Sequence, residues 1–345
     1  MKSWVGRVLL LLAPVLLTLA FATIILLMVG ADPLAAYGNM LGGSLGNVRK
    51  LGDVVIVMVP LTLCAAGMLI TFAAGLWNIG VEGQIVAGAL MTTWLIQSWA
   101  APSFLLLPAT LLAGALGGAL WGVLIGTLRT WGRVNEIFAG LGLNFVAMAL
   151  TNYLIFGPWK PPDGATMSGT DPFPPQAWMP LFPGTRLSPV SLGMATLALI
   201  CAALVLGNTY WGLELKALGL NPRAAERMGI DTRRQMLLAF VTCGVMAGIA
   251  GSLQSTAVYR RLIPQISGGY GYLSQLVVLL SGLRAGWVPA ITFFFGVVQI
   301  GSPRLELRMQ LDSSLGGVLQ AGMVLAFLLV RGVQARIAAR RRARE

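Results

Sequence analysis

VVIVMVPLTLCAAGMLITFAAGLWNIGVEGQIVAGALMTTWLIQSWAAPSFLLLPATLLAGALGGALWGVLIGTL, from Val54 to Leu128, carries a single charge, Glu82. A helix that crosses a bilayer needs ~20 predominantly apolar residues. This stretch therefore has room for three spans: Val54–Val81, then two within Gly83–Leu128 separated by a turn at Pro102. Working outward, further stretches free of Asp, Glu, Lys and Arg are Val8–Ala31, Ile137–Trp159, Leu187–Leu213, Gln235–Tyr259, Leu262–Leu283, Ala285–Pro303 and Ser313–Val330. The expectation is an all-α polytopic membrane protein, a single transmembrane domain over residues 1–345 with about 10 transmembrane helices. Residues 8–31 read as a retained first span. Its apolar stretch is too long for a cleaved signal peptide, and Val29-Gly30-Ala31-Asp32 is a poor cleavage site.

Composition points the same way. The chain has 345 residues, is 57% apolar and 10% charged, and has a mean hydropathy of +0.79, whereas a soluble domain is ~25% charged. It has no histidine, which excludes histidine catalysis and histidine-ligated metal. No Asp-x-x-Asp pair offers a magnesium site. Cys64, Cys201 and Cys243 are odd in number and set in apolar runs, so they read as small hydrophobes and not as disulfide or zinc ligands. No catalytic residue, metal or cofactor is expected.

The net charge of +12 has a topological reading. Cytoplasmic loops carry the excess of Lys and Arg. Ten spans with both termini cytoplasmic place 16 of the 24 basic residues inside. The basic tail, 331–345, lacks the interleaved aromatics of a nucleic-acid platform. It reads as a stop signal against anionic lipid, with the bilayer and no nucleic acid as its partner. Two loops stand out: a proline-rich extracytoplasmic cap at 158–188, and a charged cytoplasmic segment at 214–234.

Polar residues inside apolar spans are costly and usually serve a pathway or a partner. In Gly75-Leu76-Trp77-Asn78-Ile79-Gly80-Val81-Glu82-Gly83-Gln84, three glycines and a carboxylate interrupt the apolar run. A helix broken there frees backbone groups that must line a cavity or meet protein. Asn78, Glu82 and Gln84 are then candidate pathway residues, or the segment is a short turn with Glu82 opening the next helix. Asn144 and Asn152 lie within ~80° of one helical face and either line a route or bond between helices. Gln275 is a weaker case. Gly114, Gly118, Gly122 and Gly126, with Gly244 and Gly248, form small-residue stripes that suit static close packing or sliding. In the cytoplasmic segment, Asn221 is a good N-cap, Pro222 suits the first helical position and Gly229 the left-handed C′ position. These bracket a helix of about two turns, too short to stand alone.

Together these motifs resemble the permease subunits of ATP-binding-cassette importers, in the branched-chain amino acid, ribose and nucleoside superfamily and specifically its nucleoside/simple-sugar branch. Gly75–Gln84 is similar to that family's GLxNIGxEGQ motif, and Leu143-Asn144 … Asn152-Tyr153-Leu154 to its fifth-span signature. Gly219-Leu220-Asn221-Pro222 … Ala225 … Gly229-Ile230 resembles its cytoplasmic coupling motif, and Ser267-Gly268-Gly269-Tyr270-Gly271-Tyr272 falls in the expected order. One departure is Leu273-Ser274-Gln275-Leu276-Val277-Val278, where the family has a run of small residues. The resemblance implies ATP-driven alternating access for a nucleoside or simple sugar, with the substrate pathway at Asn78, Glu82, Gln84, Asn144, Asn152 and Gln275. It implies ATPase coupling through Gly219, Asn221, Pro222, Arg223, Ala225, Glu226 and Gly229. Without a phosphate loop of its own, the chain would not be an enzyme. Its expected partners are a separate ABC ATPase subunit, a second permease that is a different chain, and an extracytoplasmic solute-binding lipoprotein, in a bacterial plasma (inner) membrane. The competing reading, an ion-coupled secondary transporter, has only Glu82 to work with.

Overall fold

The computed structural model describes residues 16–17, 19–161 and 169–303, and toward the C-terminus 317–318, 321–322, 325–326, 329–330 and 332. The start of the first span, the middle of the proline-rich loop, most of the last span and nearly all of the basic tail lie outside the described residues. Among the described residues every regular element is helical. They fall into two compact units, divided between residues 54 and 55 and between 292 and 293.

In the unit that includes the N-terminus, α1 (Leu19–Met28) and α2 (Pro33–Ser44) meet at 115°. The expected span 8–31 therefore ends in a bend followed by a helix that hydropathy did not announce. The cause is local. Gly30 takes φ +77°, and the Asp32 carboxylate accepts the Leu34 N–H at 3.0 Å ahead of Pro33 at the first helical position. Gly301 packs on α2, where a Cβ would lie 2.5 Å from Met40 Cγ.

The larger unit is built from α3 (Val48–Ala73), α4 (Val81–Ser98), α5 (Ser103–Thr130), α6 (Glu136–Phe156), α7 (Pro189–Asn208), α8 (Tyr210–Leu220), α9 (Pro222–Arg227), α10 (Thr232–Leu253), α11 (Tyr270–Ser281) and the start of α12 (Val288–Gly301). At its centre α4, α5 and α10 touch backbone to backbone. A Cβ on Gly118 would lie 2.0 Å from the Gly244 carbonyl oxygen, one on Gly248 2.1 Å from that of Gly114, and one on Gly88 2.3 Å from that of Gly248. The glycine stripes thus serve close packing.

Among the described residues, five helices are long and apolar enough to cross a membrane, namely α3, α5, α6, α7 and α10 with its extension to Val258; counting each bent pair as one span gives up to seven. One of the ten expected spans, Ser313–Val330, lies mostly outside the described residues; the rest of the difference has physical reasons. α4 is buried around its circumference as far as Thr93 and carries Glu82, Gln84, Thr92 and Thr93, so it never needed a lipid-grade surface. The expected spans Leu262–Leu283 and Ala285–Pro303 are the short arms of a bend of 116°. The first arm is shortened because residues 259–269 are turns. Cys64 and Cys243 are buried as expected of small hydrophobes, but Cys201 is exposed on α7.

Candidate functional site: a broken helix and a capped turn

α3 stops where the sequence tells it to. Gly75 adopts φ +73°, its N–H bonds the Phe72 carbonyl at 3.0 Å, and the Leu76 N–H bonds that of Thr71 at 2.9 Å. This is the paired bonding of a glycine-terminated helix, available because glycine meets no penalty at positive φ. Residues 74–80 are non-helical, and α4 restarts at Val81.

The backbone groups freed by this break are satisfied by side chains from elsewhere. Asn144 on α6 donates from Nδ2 to the Ile79 carbonyl at 2.9 Å and accepts the Gly83 N–H at 2.8 Å, so one amide bridges the gap between the two helices. Its Nδ2 also reaches Tyr272 Oη at 3.2 Å. Gln275 Nε2 donates to the Asn78 carbonyl at 3.4 Å. Asn78 Nδ2 donates to Gln84 Oε1 at 3.1 Å, and Gln84 Nε2 continues to the Phe240 carbonyl at 3.4 Å. Asn78 Oδ1 and the nearby Trp121 Nε1 are buried with no hydrogen-bond partner among the described residues.

Glu82 is 4% exposed. Oε1 accepts the Gly269 N–H at 3.0 Å and Oε2 that of Gly271 at 2.8 Å. The carboxylate therefore sits at the N-terminus of α11, where backbone donors and the helix field favour an anion. Gly268 and Gly269, at φ +54° and +74°, turn those N–H groups toward it, and a Cβ on Gly271 would lie 2.5 Å from Glu82 Oε2.

Five of the six expected pathway residues thus converge: Asn78, Glu82, Gln84, Asn144 and Gln275. Asn152 does not; it lies exposed on α6 while Thr151 beside it is buried. An eight-residue step rotates past a whole number of turns by ~80°, enough to carry it off the inward face. Replacing Asn144 by Ala is accordingly expected to lower uptake severely, and Asn152→Ala to leave it near wild type, in transport assays at matched expression. Tyr272 and Trp121 join the site unforeseen. The Gly268-Gly269 pair ahead of a helix was the available signal for the α11 end, because such a pair builds an anion-binding nest.

Around the charged segment 214–234, the short helices α8 and α9 follow α7 in succession. α7 ends at Asn208 and α8 opens on Thr209, whose Oγ1 accepts the Gly212 N–H at 3.1 Å, so the expected span Leu187–Leu213 is really two elements. Asn221 Oδ1 accepts the Ala224 N–H at 3.1 Å, and Pro222 opens α9. Gly229, at φ +86°, closes it through the bonds Gly229 N–H to Glu226 and Ile230 N–H to Ala225. Only Ala225 of α9 is buried, while the flanking Leu220 and Met228 are 88% and 78% exposed. Arg223 and Glu226 are also exposed. Gly219 at the end of α8 packs on the α3 break: its Cβ would lie 2.2 Å from the Ala73 carbonyl oxygen and 3.0 Å from Gly75 N. The two motifs therefore touch through backbone.

At the other end of the unit, residues 170–179 lie along residues 256–262. Thr170 N–H bonds the Leu262 carbonyl at 2.9 Å, Phe173 N–H that of Arg260 at 2.7 Å, and the Arg260 guanidinium stacks 4.2 Å over Trp178.

The described residues thus form a helical scaffold with apolar, membrane-length helices, a broken helix at its centre and an exposed capped turn. Residues 51–328 match the family described as branched-chain amino acid transport system / permease component, and the chain belongs to that family. It is 32% identical over 326 residues to the glucose ABC transporter permease protein of Haloferax volcanii, covering 91% of this chain and 85% of that one. It is 27% identical over 312 residues to the nucleoside ABC transporter permease protein of Lactococcus lactis subsp. cremoris (88% and 86% covered). It is 26% identical over 323 residues to the guanosine ABC transporter permease protein of Bacillus subtilis (91% and 91%).

Proposed function

We propose that this chain forms the translocation pathway of an ATP-binding-cassette importer for a nucleoside or a simple sugar. Family membership supports the transport role, and relatives carrying glucose, nucleoside and guanosine in their names support the solute class. The observation that carries the mechanism is the backbone contact between Gly219 and the Ala73–Gly75 turn. It joins an exposed turn suited to docking an ATPase to the break where Asn78, Glu82, Gln84, Asn144 and Gln275 gather.

In this reading α9 seats in a separate ABC ATPase subunit. Arg223 and Glu226 meet its charges, and Met228 supplies an apolar anchor. Gly219, Asn221, Pro222, Ala225 and Gly229 keep the turn compact. ATP-driven closure pushes the turn, and the push reaches the break. A second, different permease chain completes the pathway, and an extracytoplasmic lipoprotein delivers solute to the face carrying the 158–188 cap. The chain spans a bacterial plasma membrane about ten times with both termini cytoplasmic. In that count α4 and both arms of the α11–α12 bend are membrane segments alongside the apolar helices. Residues 8–31 are its first span, 214–234 its coupling segment and 331–345 its basic cytoplasmic tail.

The test is uptake of labelled guanosine and glucose by cells expressing the whole transporter, paired with ATPase co-purification. ATP depletion is expected to abolish uptake, and the double change Arg223→Glu, Glu226→Arg to release the ATPase. Uptake that survives ATP depletion but collapses with the ion gradient would replace this reading with ion-coupled secondary transport. Retention of the ATPase by the double variant would remove α9 from the interface.

A further inference from the structure

A groove of about 650 Å³ opens between the C-terminal ends of α3 and α7 and the side of α8. Leu69, Phe72, Leu206, Leu220 and Leu283 give it apolar walls, and Lys216 is the charged residue lining it. Its volume falls in the range of small-molecule pockets. α7, which forms one wall, is the least covered of the membrane-length helices, with 17% of its apolar window buried.

The Lys216 ammonium donates to the Leu206 carbonyl in the last turn of α7, the negative end of that helix. An ammonium has three donors, so two remain for a ligand. The nearest carboxylate in sequence, Glu214, is engaged elsewhere, accepting from Gln235 Nε2. Arg284, exposed, stands between the lining residues Leu283 and Ala285 and adds a second cation beside the groove. Apolar walls with cations at one end, at the terminus of membrane helices, complement a molecule with an acyl chain and an anionic head. Basic pockets between membrane helices bind anionic lipid headgroups on this physical basis.

We propose that this groove binds one anionic phospholipid, its acyl chain against Leu69, Phe72 and Leu206 and its phosphate on Lys216 with Arg284 beside it. The site is independent of the transported solute. It places a lipid directly against Gly219 and Leu220, at the root of the α9 turn.

The experiment is native mass spectrometry of the full-length purified chain exchanged into detergent with added phosphatidylglycerol or phosphatidylcholine of the same acyl composition. Wild type is expected to retain one phosphatidylglycerol preferentially, by about 5-fold per contributing cation. Lys216→Gln with Arg284→Gln is expected to lose that preference. Ala203→Trp, which fills the groove, is expected to lose the bound lipid altogether. Glycerol 3-phosphate added to wild type is expected not to displace the lipid; displacement would reassign the site to a free phosphate. Equal retention of the two lipids by wild type would overturn the proposal, and so would an unchanged preference in the double variant. The wild-type comparison stands even if a variant does not fold.

Discussion

Leucine at position 248 is expected to leave no folded protein. Gly248 lies where α4, α5 and α10 converge. A Cβ there would approach the Gly114 carbonyl oxygen to 2.1 Å and Gly118 N to 2.9 Å, and Gly88 closes the third side. The neighbours are backbone, which cannot rotate away. Overpacking a well-filled interior typically costs ~1–3 kcal/mol even where side chains can yield, and four added carbons with nothing to displace cost more. Gly248→Ala is expected to lose about 3 kcal/mol or more on the same scale. Gly142 on α6 is the control, since a Cβ there meets nothing within 4 Å. Gly142→Ala should be neutral or gain up to ~1 kcal/mol from helix propensity. Size-exclusion of tagged protein from solubilised membranes reads all three, and a monodisperse peak for Gly248→Leu would show that the contact has slack.

The second large effect is at Glu82. Alanine there strands the Gly269 and Gly271 N–H groups in the interior, and each unsatisfied buried donor costs ~1–3 kcal/mol. It also removes the anion from the start of α11, worth up to ~2 kcal/mol in a partly buried site. The joint between α4 and α11 is then no longer held. Glu82→Ala is expected to lower uptake by at least about tenfold, equivalent to 1.4 kcal/mol, while the chain still inserts and docks its ATPase. Glu82→Gln keeps one carbonyl acceptor of the same shape and should retain more uptake. Asn78→Ala removes one side-chain bond and an unpartnered oxygen, so its loss should be smaller than that of Glu82→Ala. The measurement is initial uptake at matched membrane abundance. Wild-type transport by Glu82→Ala would make the joint dispensable.

Much of this site is legible in the chain because it is built from local chemistry. The stop at Gly75, the caps at Asn221 and Gly229, and the glycine spacing on α5 and α10 depend on neighbours in sequence. The structure places each where its own backbone preference requires. The convergence of Asn78, Glu82, Gln84 and Asn144 could be suspected because polar groups in an apolar run need partners. Which partner each finds could not be read: the Glu82 donors lie on α11, and no local rule pairs residues that distant. Hydropathy fails for a related reason. It scores how well a helix suits lipid, but α4 is surrounded by protein, and α11 and α12 are short helices joined at a bend of 116°. Asn152 stands apart from the buried cluster through a rotation of ~80°, a difference that a sequence pattern tolerates and a packed face does not.

The enclosure of α4 bears on how the chain is made. Glu82 is separated from its donor Gly271 by 189 residues. At a synthesis rate of ~5–20 residues per second, its carboxylate waits roughly 10–40 s before α11 exists. Its packing partner α5 follows at once, but α10 also arrives late. During that interval α4 has no lipid-grade surface and only part of its final surroundings, and a polar group facing hydrocarbon without a partner is costly. The central helix therefore reaches its enclosed state only when the second half of the chain closes around it. Completing the packing of α4 draws on residues of α10 and α11, late in the chain, a dependence that no count of apolar segments would reveal.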